Sequence, residues 1–156
     1  MRSDVRTSEE IALTEAQQVG LAARAHAGCV VCGATNRRGL GLKFAVGKDG
    51  SVRAGFRCSA ALQGYPDYLH GGVVASLLDG AMTNCLFAQG QIALTAELKI
   101  RFLQPVLIAE PGVVRARIDR SHAGLHILRA EVSQGGRVKA TAVGKFMRRS
   151  DSGSPC

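Results

Sequence analysis

Tryptophan is missing from this chain of 156 residues, and aromatic side chains make up only 4% of it. Proteins that hold single-stranded nucleic acid need stacking faces, so this scarcity argues against nucleic acid as a partner. Proline is scarce too, at four residues, and no proline-rich linker divides the chain. No apolar run reaches the roughly 18 residues that a bilayer span requires, so no membrane partner is expected. The opening "MRSDVRTSEEIALTEA" lacks the apolar core of a secretory signal, and the expected location is cytoplasmic. The five cysteines, Cys29, Cys32, Cys58, Cys85 and Cys156, are an odd number, which speaks against a disulfide framework. Acidic residues number 12 against 20 Lys and Arg, a net charge of +8. Such a surplus favours anionic partners, but the basic residues are scattered and form no tract. A phosphate-bearing small molecule fits better than nucleic acid, and a solvated surface explains most of these charges one by one.

What is present suits a single globular domain, since 46% of the residues are hydrophobic and the length allows a sizeable core. Thr7 to Ala27 reads as a helix, with Thr7 and Glu10 spaced as a capping box. "GLGLKFAV" (Gly39 to Val46) and "SVRAGFRC" (Ser51 to Cys58) flank "GKDG", a hairpin signal. "AALQGYPDY" is a loop broken by Gly64 and Pro66. Gly71 to Gln89 reads as a second helix. Its Val73, Val74, Leu77, Leu78, Ala81, Met82, Cys85 and Leu86 fill a broad apolar stripe at the helical period. Ser76, Asp79 and Thr83 gather on a narrow polar face opposite. After Gly90, Ile92, Leu94, Ala96, Leu98, Ile100 and Phe102 alternate with Thr95, Glu97, Lys99 and Arg101, the pattern of a half-buried strand ended by Pro105. "VVRARID", "LHILRAEV" and "RVKATAVGKFM" are three further strands, with "SQGGR" as a turn. In "VVRARID", Val114, Ala116 and Ile118 face inward and Arg115, Arg117 and Asp119 outward.

Strands grouped on either side of one long apolar helix point to an α+β fold, an antiparallel sheet covered by that helix. The organisation expected is an N-terminal helical extension over residues 1–28, the main domain over 29–148 and a disordered tail over 149–156.

The stretch "GYPDYLHGGVVASLLDGAM" carries the chemistry. A helix start leaves backbone N–H groups unpaired at the positive end of the dipole. With Gly71 and Gly72 there, another molecule can approach that backbone closely and have a carbonyl polarised. The two glycines also serve merely to turn the chain into the helix, and the two readings weigh about equally. His70 stands at the door, able to bond or orient a group. Asp79 suits a nucleophile or a general base on water; otherwise it is a helix-surface carboxylate. Gly71 and Asp79 are eight residues apart, about 12 Å along a helix axis at 1.5 Å per residue. One reacting carbonyl therefore cannot meet both from the same helix. If the two cooperate, Asp79 comes from a second copy lying antiparallel, which predicts a homodimer with two shared sites.

"LHGGVVASLLDGAM" followed by "TAELKIRFLQPV" resembles the PaaI-like acyl-CoA thioesterases of the hotdog-fold superfamily. "CVVCGATNRRGLGLKF" resembles the opening of many bacterial members, so the likeness runs from about Cys29 to Met147. The resemblance implies a hotdog fold, with the antiparallel sheet wrapped around the long helix. It implies dimers, often paired into tetramers, that hydrolyse an acyl-CoA thioester with no metal and no organic cofactor. By position it implies Gly71 as the N–H donor to the thioester carbonyl, His70 beside it, Asp79 of the partner subunit as base or nucleophile, and Thr95 near the attacking water. Gly72, Gln63, Ser76, Thr83, Arg120 and His122 are the expected substrate contacts. Where several relatives carry an Asn, this chain has Gly64, with Gln63 beside it; where many carry a second acid after the Asp, it has Gly80. A hotdog hydratase or dehydratase, and a non-catalytic acyl-CoA binding module, are the alternatives.

Two other groupings stand out. His26, Cys29 and Cys32, with Cys58 as a fourth, have zinc-binding residue types, but one CxxC pair reads first as two small buried thiols, and no metal is assigned. Arg120 and His122, with Arg101, Arg115 and Arg137, are candidates for CoA phosphates, against the plainer reading of basic residues guarding a strand edge.

Overall fold

The computed structural model describes residues 15–148. Element order agrees with the sequence reading: helix α1 (Glu15–His26), strands β1 (Ala45–Val46) and β2 (Val52–Phe56), helix α2 (Gly71–Ala88), then β3 (Ala93–Phe102), β4 (Gly112–His122), β5 (Leu125–Gln134) and β6 (Arg137–Arg148). The proposed Thr7 capping box and the tail over 149–156 lie outside the described residues. All six strands form one antiparallel sheet in the order β1-β2-β4-β5-β6-β3. The first hairpin is shorter than its sequence suggests. Only Ala45 and Val46 of the first apolar run pair as strand, because Leu40 and Leu42 instead donate to the carbonyls of Val30 and Val31.

α2 lies against the sheet and forms the centre of the core. Leu77, Leu78, Ala81, Met82, Cys85 and Leu86 are fully buried, facing Val114, Leu128, Val132, Ala140 and Phe146. Each large side chain buried this way is worth about 1.5–3 kcal/mol. By length and composition α2 could cross a bilayer, contrary to the sequence expectation, but 67% of it is buried inside this domain. Its C-terminus closes on Gly90 at φ 68°. The Gly90 N–H donates to Phe87 O and the Gln91 N–H to Leu86 O, both at 2.9 Å. This paired reversal uses the left-handed conformation that glycine adopts freely.

The turn after α1 covers α2 from the side away from the sheet, bringing Val31 and Leu42 into the core. Val31 sits directly on Gly80: a Cβ there would come within 2.5 Å of Val31 Cγ1. The departure from an acidic residue after Asp79 therefore has a packing consequence, since any side chain at position 80 must displace Val31.

β3 corrects the simple alternation. The register against β6 runs Thr95↔Phe146 and then Glu97↔Lys145, leaving Ala96 as the extra residue of a β-bulge. A bulge reverses which residues face inward. Before it, Thr95 lies opposite the core residue Phe146; after it, Leu98 and Ile100 pack on the core. Leu94 and Phe102, expected on the buried face, are 65% and 59% exposed. Alternation on β4 is as expected, with Val114 and Ala116 buried and Arg115 and Arg117 exposed.

The loop before α2 is fastened to the β3–β4 connection. Gly64 N–H donates to Tyr68 O, His70 N–H to Leu62 O, Leu69 N–H to Val106 O and Ile108 N–H to Asp67 O. Beneath the connection, buried Gln134 accepts from Leu107 N–H and donates to the carbonyls of Leu107 and Glu110.

Replacing Gln134 by Leu leaves those three backbone groups without their partner and should lower stability by about 1–3 kcal/mol; urea unfolding checks this. His126 is buried, and its Nε2 has no partner among the described residues. Burial, with a smaller push from Arg148, holds its pKa below the ordinary 6.5. The unfolded chain then takes up this proton more readily than the native one, so stability is full above pH 6.5 and falls as pH drops below it. The slope of stability against pH in that range should flatten in His126→Gln.

Candidate active site

The N-terminus of α2 is capped by its own doorkeeper. His70 Nδ1 accepts from Gly72 N–H at 2.9 Å. The neutral ring therefore carries its proton on Nε2. The His70 carbonyl accepts from Val73 and Val74 N–H. Of the first-turn donors this leaves the Gly71 N–H, which finds no partner among the described residues. Gly72 was expected to serve substrate, but its N–H is engaged by His70. Phe102, on the exposed end of β3, lies beside this start, its ring carbons 3.6 Å from where a Gly71 Cβ would stand. Nothing in the alternation of β3 pointed to Phe102 as a neighbour of the helix door.

Asp79 stands two turns further on, half-buried. The Thr95 hydroxyl donates to Asp79 Oδ1 at 2.7 Å. The bulge at Ala96 makes this contact possible, because unbroken alternation would put Thr95 on the far face with Glu97 and Lys99. Asp79 Oδ2 has no hydrogen-bond partner among the described residues, so one oxygen is held and the other is free to accept. Of the remaining polar-face residues, Ser76 donates to Gly72 O at 2.9 Å, and Thr83 is buried.

Gln63 is exposed and bridges to Leu69, one residue before His70. Gly64 packs against the His70 side chain. Arg120 and His122 are exposed near the β4–β5 turn. Through the pairings His122↔Leu125, Leu125↔Met147 and Leu94↔Met147, that turn lies at the end of the sheet where β3 begins. Gly71 lies at the other end with Phe102, so the structure does not bring Arg120 and His122 to the helix start of the same chain. Arg101 and Arg115 instead join Lys99, Arg117 and Arg129 along a groove of about 610 Å³; Arg137 is not part of it. Arg129 is partly spent on Asp119, at 2.9 Å.

Beside the C-terminal half of α2, where Cys32 meets Asn84 and His26 meets Phe87, His26, Cys29 and Cys32 each present a ligand atom within 4.8 Å of the other two. Cys58 is buried elsewhere and is not in this group. Burial, opposed in part by the Asp79 charge, lowers the His26 pKa.

Comparisons with known proteins agree on the fold. The model of the Thioesterase superfamily matches residues 67–141. Acyl-coenzyme A thioesterase THEM4 of Bos taurus is 32% identical over 85 residues, covering 53% of this chain and 35% of that protein. The match thus spans about a third of the curated relative's length. A solved thioesterase superfamily protein superposes with a TM-score of 0.72 at 26% identity, covering 76% of this chain and 62% of its own. A thioesterase-like, phenylacetic acid degradation-related protein of Ralstonia eutropha JMP134 gives 0.63 at 26% identity, covering 69% of this chain and 85% of its own. The E. coli PaaI protein shares the fold at 22% identity and a TM-score of 0.66, covering 70% of this chain and 84% of its own. A long helix enclosed by an antiparallel sheet gives this chain the hotdog fold of these solved thioesterases, and the stretch from the helix door into the last strand is similar to the thioesterase superfamily model.

Proposed function

We propose that this chain hydrolyses an acyl-coenzyme A thioester to a free acid and CoA. The observation that carries this reading is the Asp79 carboxylate, held through one oxygen by Thr95 on the same core helix whose first N–H is free. The Gly71 N–H polarises the thioester carbonyl. Asp79 takes a proton from a water through its free oxygen, and that water adds to the carbonyl carbon. The tetrahedral intermediate then collapses, the C–S bond breaks, and CoA leaves as thiolate. The named activity of the THEM4 relatives is the same reaction class. A solved protein of this fold is described as bound to acetyl CoA, which supports the ligand class.

Because Gly71 and Asp79 are about 12 Å apart along one helix, the site needs Gly71 of one subunit and Asp79 of another. A sheet edge is available for that pairing. β3 is a ten-residue edge strand carrying exposed Leu94 and Phe102, and an unpaired edge of this length invites a second strand. The partner is therefore another copy of this chain, in a dimer or a tetramer.

Thiol release from a panel of aryl and medium-chain acyl-CoAs tests the activity. Asp79→Asn should lower kcat by about 10²–10⁴, the range for a lost general base. Thr95→Val should lower it by about tenfold, the worth of one hydrogen bond to a charged group. Tight acyl-CoA binding with no thiol release by the wild type would replace the enzyme with a binding module. Light scattering should find particles of at least twice the 16.4 kDa chain mass; a fully active monomer is incompatible with a shared site.

A further inference from the structure

The thioester chemistry leaves one side-chain cluster unused. His26 ends α1, and Cys29 and Cys32 stand in the turn that follows. His26 Nδ1 is 3.9 Å from Cys32 Sγ, and no two of the three ligand atoms are more than 4.8 Å apart. Zn²⁺ takes thiolate at about 2.3 Å and imidazole at about 2.0–2.1 Å in a tetrahedron. Those bond lengths place neighbouring ligand atoms about 3.5–3.8 Å apart, so side-chain shifts of about 1 Å bring all three onto one ion.

The backbone of the turn is built to hold sulfur. Val31 N–H donates to Cys29 Sγ at 3.3 Å. Gly33 N–H donates to Cys29 O at 2.9 Å, and a Cβ on Gly33 would collide with the backbone of Cys29 and Ala27. The turn is braced from outside by Thr35 Oγ1 to Ala27 O at 2.7 Å and Asn36 Nδ2 to Gly28 O at 3.2 Å. From α2, Asn84 Nδ2 donates to Cys32 Sγ at 3.4 Å while anchored on Gly80 O at 2.8 Å. Donors aimed at sulfur favour the thiolate, as outer partners of metal ligands do. The His26 ring is fixed edge-on against Phe87, with centroids 4.9 Å apart.

We propose that His26, Cys29 and Cys32 bind Zn²⁺ through one imidazole nitrogen and two thiolates, leaving a fourth position for water or an external ligand. Binding releases one proton from each thiol, so the two thiolates balance the charge of the ion. Affinity therefore rises with pH. The metal joins α1 to the turn whose Val31 covers Gly80, next to Asp79. This proposal does not depend on the thioesterase reading.

The full chain, reduced and stripped with a chelator, is titrated anaerobically with CoCl₂. One equivalent should produce a thiolate-to-cobalt charge-transfer band and the strong d–d bands of tetrahedral coordination, both erased by one equivalent of ZnCl₂. Cys32→Ser should abolish the charge-transfer band, and Cys58→Ser should leave it intact. Asn84→Ala should weaken binding by about 10–100-fold, the usual cost of losing an outer partner. Absence of the band in the wild type, its survival in Cys32→Ser, or its loss in Cys58→Ser overturns the proposal. If Cys32→Ser does not fold, the wild-type titration with Cys58→Ser and Asn84→Ala decides the matter.

Discussion

An 18-residue helix as apolar as α2 has to be covered on more than one side, and the sheet reaches only part of its circumference. The inner faces of β4, β5 and β6 supply one cover through Val114, Leu128, Val132, Ala140 and Phe146. The turn after α1 supplies another through Val31, seated on Gly80. Between these covers a strip of helix around Gly72, Ser76 and Asp79 stays only partly buried. A single carboxylate survives on this helix because its half-buried position leaves it a hydroxyl partner and access to solvent, where full burial of a lone charge would cost several kcal/mol.

The bulge in β3 links the fold to the chemistry. One extra residue, Ala96, turns Thr95 towards α2 and keeps Leu98 and Ile100 in the core. Leu94 is thereby left outside at the free edge of the sheet. One irregularity thus orients the Asp79 carboxylate and leaves exposed apolar surface on an edge strand of the sheet. The helix door is set with equal economy, as His70 satisfies Gly72 N–H and leaves Gly71 N–H for another acceptor.

Basic charge is distributed in a way that composition alone does not reveal. Lys99, Arg101, Arg115, Arg117 and Arg129 gather along one groove. Exposed pairs such as Arg129–Asp119 and Lys145–Glu97 contribute little to stability, about 0.2–1 kcal/mol each. Their interest lies in the positive field left over by an excess of cations.

Patterns local to one element were legible in the sequence. The 3.6-residue period of Val74 through Leu86 gave α2, the alternation of Val114, Arg115, Ala116 and Arg117 gave β4, and His-Gly-Gly marked the helix door. The approximate bounds and antiparallel grouping followed from those periods and from glycine-bearing turns. What depended on two distant segments was not legible. The bulge at Ala96 is set by where β6 pairs, so Thr95 reads as an outward residue until Phe146 is placed opposite it. The approach of Phe102 to Gly71 and of Val31 to Gly80 depends on how strand and turn pack on α2. Cys58 was the candidate fourth ligand beside His26, Cys29 and Cys32, and only the path of the chain sets it apart from them. Local periodicity is a property of neighbouring residues and is written in their order; the meeting of Thr95 with Asp79, and of Val31 with Gly80, is a property of closure in three dimensions, decided by packing around the buried helix.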